Sequence, residues 1–205
     1  MKRFVVGVTG ASGSVCARSV LRHLARHPDV GEIHVVLSGY SIRTINAELG
    51  GDARDEVAGL ERLLAGDVAG AGGRPSATIV HHRADAMEAS ISSGSFRTDG
   101  MLVVPCSGGT LAAIANGTSS NLVQRAAEVT LKERRPLLLA FRETPLSLVH
   151  IENMRRATLA GAVVCPLMPA FYAAPTSLDD LIEQFTARLF DLLRLPHDLG
   201  RRWGA

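Results

Sequence analysis

Charged side chains flank a short apolar run in the second half of the chain, and residues of these types could hold an anion. Arg125, Glu128, Lys132, Glu133, Arg134 and Arg135 come before Pro136; Arg142-Glu143-Thr144-Pro145 follows the run 137–141. Arginine can grip two phosphate oxygens at once, while lysine acts as a point charge. In an open α/β sheet, ligands bind in the crevice outside the carboxyl ends of the strands. A strand over the apolar run would set charges at both of its borders.

A glycine-rich turn near the start suits the same chemistry. Gly7-Val8-Thr9-Gly10-Ala11-Ser12-Gly13 lies between an apolar run and a helical pattern. Glycines let backbone approach a ligand, and a helix N-terminus presents free N–H groups to an anion. A tight turn without ligand is the plain alternative. The spacing is G-x-x-G-x-x-G, so Val8 stands where a dinucleotide motif needs a glycine. The second apolar run ends Leu37-Ser38-Gly39, without the carboxylate that would hold an NAD ribose. A single phosphate with a hydroxyl beside it, as in a mononucleotide, fits better. Pro105-Cys106-Ser107-Gly108-Gly109-Thr110 offers a second set of small residues and hydroxyls at the same sheet edge. No histidine lies near Cys106 in sequence, so a buried thiol is favoured over a nucleophile.

These segments need a frame to hold them. Strands are expected at 4–8, 33–37, 78–81, 101–105, 137–141 and 162–165, with helices of roughly 10–15 residues between them. That alternation implies βαβ units: a three-layer, Rossmann- or flavodoxin-like α/β fold with a parallel sheet, and one domain over residues 1–205. The first helix is expected over 12–25. Thr144 as cap and Pro145 at the first helical position would start another, running to 159. Ser177-Leu178-Asp179-Asp180 resembles a capping box for a last helix reaching about 193. The section 50–75 is least regular; 55–64 has helical spacing, and Gly70-Ala71-Gly72-Gly73 reads as a loop, either a surface excursion or a lid.

Composition narrows the classes. Hydrophobic residues make up 46% and charged ones 20%, a globular balance. A net charge of +2 is too small for a nucleic-acid or membrane surface. No apolar run approaches a membrane span, and the first residues enter a strand without a signal peptide. Three dispersed cysteines fit a reducing cytoplasm. His23 and His27 lack a third metal ligand and read as solvent-facing; no metal is expected. His81 and His82 should point to opposite faces of a strand.

Six segments in order carry a resemblance: Thr9-Gly10-Ala11-Ser12-Gly13, Ser90-Ile91-Ser92-Ser93-Gly94-Ser95-Phe96, Pro105-Cys106-Ser107, Leu131-Lys132-Glu133-Arg134-Arg135-Pro136-Leu137, Arg142-Glu143-Thr144-Pro145 and Pro169-Ala170-Phe171-Tyr172. Together they resemble the flavin prenyltransferases of the UbiX family, formerly described as aromatic-acid decarboxylases. The resemblance implies a flavodoxin-like domain in a homo-oligomer, a dodecamer, with sites between subunits. It implies FMN, a dimethylallyl group moved from dimethylallyl monophosphate to flavin N5 and then C6, no metal, and a UbiD-type decarboxylase receiving the prenylated FMN.

By the same resemblance, Ser12 and Glu143 handle a proton near N5, and Glu48 is an acid near the phosphate. Lys132, Arg142, Tyr172 and Arg188 hold the leaving phosphate. Gly10, Ala11, Ser12, Ser38, Cys106, Ser107, Gly108, Gly109, Thr110 and Arg125 bind the flavin. Arg125 and Lys132, seven residues apart, should share a helix face. Arg134 and Arg135 read as structural, since cations suit a helix C-terminus. One departure stands out: many members have lysine after the serine that ends the second strand, and here Gly39 follows Ser38. Two other readings are an FMN-dependent decarboxylase acting on a cysteine or peptidyl-cysteine, which would rely on a histidine and an asparagine clamp, and a non-catalytic flavin-binding subunit.

Overall fold

The computed structural model describes residues 1–65 and 76–204. The expected Gly70–Gly73 loop therefore lies outside the described residues. Six strands, β1 (Lys2–Val8), β2 (Val30–Leu37), β3 (Thr78–His82), β4 (Gly100–Cys106), β5 (Leu137–Phe141) and β6 (Val163–Val164), form one sheet. The order is β3-β2-β1-β4-β5-β6 and every neighbour is parallel, which is the Rossmann order. Seven helices surround it among the described residues: α1 (Ser14–Arg26), α2 (Ser41–Leu49), α3 (Glu56–Leu64), α4 (Gly108–Ala115), α5 (Leu122–Lys132), α6 (Leu148–Leu159) and α7 (Leu178–Leu192). None is long and apolar enough to cross a membrane.

Strand periodicity divides the core in two. Phe4, Val6 and Val8 point to one face, where they meet Leu21 and Leu24 of α1 and Phe190 of α7. Val5, Met101 and Val103 point to the other, against Val123 and Ala127 of α5. Alternate residues of a strand face opposite ways, so apolar runs without polar interruption require cover on both sides. Gly7 permits a close approach, because a Cβ there would stand 2.8 Å from Val123 Cγ1.

Two expectations are corrected. Thr144 and Pro145 do not open α6; they lie in the preceding loop, joined by a cis peptide bond. The cap is Ser147, whose hydroxyl accepts the His150 N–H at 3.3 Å, while His150 Nδ1 accepts the Ser147 N–H at 3.2 Å. His23 and His27 are not solvent-facing but buried, each about 7% exposed. Long-range packing covers them. His23 Nε2 lies 2.7 Å from Glu183 of α7, His27 Nε2 lies 2.7 Å from the Pro196 carbonyl, and both rings meet Phe190 edge-on.

His81 and His82 do point apart, toward Glu56 and His34 respectively. His82 Nε2 lies 2.7 Å from His34 Nδ1 with the rings stacked, and His34 Nε2 is 3.1 Å from Glu32, which also pairs with Arg3. Burial pushes both the His34 and His82 imidazoles below their usual range, more than Glu32 raises them. A group with a lowered folded pKa makes the native state prefer its neutral form when it is histidine. Stability should therefore be full above about pH 6.5, the unfolded imidazole value, and fall as pH drops below it. Thermal melts from pH 7.5 to 5.5 should show this loss, and His82→Gln should flatten it. An unchanged slope in that variant would remove the pair as its source.

Candidate functional site

The strand order reverses direction between β1 and β4, so their carboxyl ends border a crevice. Thr9, fully buried, ties the two loops there. Its hydroxyl donates to the Pro105 carbonyl at 2.8 Å and accepts the Ser107 N–H at 2.9 Å. Ser107 caps α4, accepting from Thr110 N–H at 3.4 Å and donating to its hydroxyl at 3.1 Å. Gly108, Gly109 and Thr110 thus form the first turn of α4 beside the glycine turn. Gly10 is exposed but packs under Tyr40, where a Cβ would come 2.6 Å from Tyr40 Cβ. Ala11 is buried and Ser12 exposed. Ser38 joins the same edge, its N–H bonded to the Val8 carbonyl at 2.9 Å. Cys106 is wholly buried, and burial pushes its thiol far above the usual range; the small-core reading of this residue holds.

The amide groups opening α1 are not free, as the sequence suggested they would be. The Glu48 carboxylate from α2 accepts the Gly13 N–H at 2.9 and 3.1 Å and the Ser14 N–H at 2.6 Å. A carboxylate is the natural partner for the positive end of a helix. Glu48 therefore lies at the glycine turn, and the charge there is already matched. Behind it the Ser14 hydroxyl is buried with no hydrogen-bond partner.

Beyond β5, the Arg142 N–H bonds the Cys106 carbonyl at 3.1 Å, which sets Arg142 and Glu143 beside the loop that follows β4. A Cβ on Gly108 would lie 3.9 Å from Glu143 Oε2 and 3.3 Å from His150 Nε2. His150 was missed in the sequence; its signal was the histidine three residues after the capping serine, in the helix following Glu143. Tyr172 and Arg188 share the wall of a cavity of about 410 Å³ beside β6. Tyr172 Oη accepts from Gln184 at 3.3 Å, and its ring meets Trp203 edge-on. Arg188 is exposed, 3.9 Å from Asp191.

Lys132 stands apart. α5 starts at the carboxyl edge, where the Leu122 N–H bonds the Ala84 carbonyl, and ends at the amino edge, where Pro136 feeds β5. Lys132 pairs with Glu133 there, beside Gly94, whose Cβ would come 2.6 Å from the ammonium. Five strand residues, about 17 Å, separate that edge from Arg142. Arg125 lies along α5 between them, donating to the Ser92 carbonyl at 3.2 Å and pairing with Glu128 at 3.1 Å. Arg135 holds the Gly94 and Phe96 carbonyls at 2.7 and 2.8 Å, a structural use as expected. One chain thus gathers Ser12, Ser38, Glu48, Ser107–Thr110, Arg142 and Glu143 at its carboxyl edge, sets Tyr172 and Arg188 in the cavity beside β6, and leaves Lys132 at the amino edge. Among the described residues, no group of three or more His, Cys, Asp and Glu side chains could hold a metal ion.

Comparison with known proteins matches this fold. The flavoprotein family model covers residues 1–189. The flavin prenyltransferase UbiX of Escherichia coli K12 is 42% identical over 205 residues, spanning 99% of this chain and 98% of that protein. The crystal structure of AnUbiX (PadA1) in complex with FMN and dimethylallyl pyrophosphate superposes with a TM-score of 0.85 at 42% identity, covering 100% of this chain and 98% of that one. A dodecameric FMN-dependent UbiX-like decarboxylase from Escherichia coli O157:H7 gives the same TM-score at 40% identity, over 99% and 100% of the two chains. With its glycine turn, hydroxyl-lined crevice and flanking arginines set on that shared sheet, the chain belongs to the flavoprotein family, among its UbiX flavin prenyltransferases.

Proposed function

We propose that this enzyme joins a dimethylallyl group from dimethylallyl monophosphate to N5 and C6 of reduced FMN, in the cytoplasm, and that a UbiD-type decarboxylase takes up the product. The observation that carries this reading is the gathering of hydroxyls, two carboxylates and Arg142 around the β1–β4 switch point, with Tyr172 and Arg188 lining a cavity beside β6. The residues fit a flavin: Ser12, Ser38 and Ser107 offer hydroxyls, and Gly39 and Gly109 face open space that a flat ring system and its tail could use.

Reduced FMN, when bound, would supply the electron-rich ring atoms that accept the prenyl group. The chain's own residues have four tasks. Arg142 and Arg188 would stabilise charge building on the departing phosphate, with the Tyr172 hydroxyl as a further donor. Glu143 would take the proton lost from the flavin nitrogen, with Ser12 as relay. Glu48 would fix the glycine turn by capping α1. Buried Cys106 would act by shape, lining the floor beneath Ser107.

Lys132 faces away from this crevice within its own chain, which supports a homo-oligomer in which Lys132 and Arg125 of one chain complete the site of another. The dodecameric relative makes a dodecamer the expected assembly.

The test is anaerobic incubation with reduced FMN and dimethylallyl monophosphate, followed by mass spectrometry of the flavin. Gain of one prenyl unit is expected, faster with the monophosphate than with the diphosphate that the solved relative holds. Bound but unmodified flavin with both donors would rule the reading out. One observation favours a second reading, a flavin-dependent decarboxylase of cysteine or peptidyl-cysteine: His150 points at the start of α4. Carbon dioxide release from a peptide ending in cysteine, with no prenylation, would establish it instead.

A further inference from the structure

A cleft of about 820 Å³ opens at the carboxyl edge on the β2–β3 side of the sheet. Gly39, in the turn after β2, forms part of its wall together with Arg43 of α2 and Arg54 ahead of α3. Its carboxylates already have partners. Asp55 caps α3 by accepting the Ala58 N–H at 2.9 Å, and Glu56 accepts the Ala84 N–H at 3.3 Å and lies 3.7 Å from His81 Nε2. Asp85 neutralises Arg83, which reaches it at 2.6 Å. Arg43 and Arg54 make no ion pair among the described residues, and both are exposed. Two unmatched guanidinium charges therefore stand beside the Ser38–Gly39 turn.

The opposite holds one turn away. At α1 the Glu48 carboxylate occupies the amide groups that would otherwise attract an anion. A dianion approaching the crevice meets a carboxylate on the α1 side and two free cations on the α2 side. A phosphate monoester matches this pattern, since arginine binds two of its oxygens together and the Ser38 hydroxyl is near the same turn.

We propose that Arg43, seconded by Arg54, binds the phosphate monoester end of the flavin, and so supplies the charge that the family resemblance expects from a lysine at position 39. This rests on the flavin reading given above. The substitution is possible because Arg43 lies one helical turn beyond Gly39 and lines the same cleft. Gly39 itself has room for a side chain: a Cβ there meets nothing within 4 Å.

Fluorescence titration with FMN and with riboflavin, which lacks the phosphate, tests the assignment. Arg43→Gln should weaken FMN binding roughly tenfold, about the worth of one charge-assisted hydrogen bond, and leave riboflavin within about twofold. Adding Gly39→Lys to Arg43→Gln should restore FMN affinity. Equal losses for both flavins, or no loss for either, would overturn the proposal, as would failure of lysine at 39 to rescue. If the wild-type chain binds neither flavin, the functional reading itself fails, and calorimetry with inorganic phosphate decides the cleft. Phosphate binding lost in Arg43→Gln would keep it as a site for another phosphate monoester; its absence in the wild-type chain would end the proposal.

Discussion

Lys132→Ala and Arg142→Ala should each lose prenyl transfer by about a hundredfold or more, yet co-assembled chains of the two variants should regain activity. The expectation follows from the path of the chain. α5 carries Lys132 to the amino edge of the sheet, and β5 then runs back to deliver Arg142 at the carboxyl edge. No side-chain motion spans a strand length of about 17 Å. Both cations can meet one leaving phosphate only if they come from different chains. In a randomly mixed closed oligomer, about a quarter of the sites would receive an intact lysine from one chain and an intact arginine from another. The mixture, made by co-expression and assayed by flavin mass, should therefore recover about that fraction of wild-type turnover. FMN binding should survive in Lys132→Ala. Recovery no greater than that of the separate variants would place both residues in one chain's site, or remove Lys132 from it.

That separation was legible in the sequence once the strand was read, because a helix between two parallel strands must run back to their amino ends. The sheet itself was legible: all six expected strands formed. The four inner ones, β1, β2, β4 and β5, are largely buried and leave the nearly uninterrupted apolar signature of a covered parallel strand, while the edge strands β3 and β6 are only partly covered. Ser177 and Asp180 gave the start of α7 correctly, as a local pattern with local bonds. Thr144-Pro145 misled for the same kind of reason. Two local start signals competed within four residues, and the reciprocal Ser147–His150 pair won. His23 and His27 failed for a different one. Their cover comes from Glu183, Phe190 and Pro196, more than 150 residues away, which no local spacing can announce. Glu48 lies between these cases. Its acid was recognised, but its place on the α1 amides depends on how α2 packs against α1.

Glu143→Gln should lower kcat by about a hundredfold or more while FMN affinity stays within about twofold, because amide and carboxylate share a shape and differ in accepting a proton. In the single chain Glu143 is exposed, one oxygen accepting the Thr144 N–H at 3.1 Å and the other facing the start of α4. That leaves the second oxygen free for a reacting group. His150 is the rival proton acceptor, since its Nε2 comes nearer to Gly108 than Glu143 does. But its Nδ1 accepts the Ser147 N–H, which fixes the ring as part of the α6 cap and assigns the remaining proton to Nε2. A ring so held donates at the crevice and does not accept. His150→Gln, which keeps a donor, should then retain most activity, whereas Glu143→Gln should not. Single-turnover prenylation separates the outcomes. Loss in His150→Gln with Glu143→Gln unaffected would transfer the base to histidine, and a parallel loss of FMN affinity in Glu143→Gln would make that residue a binding group.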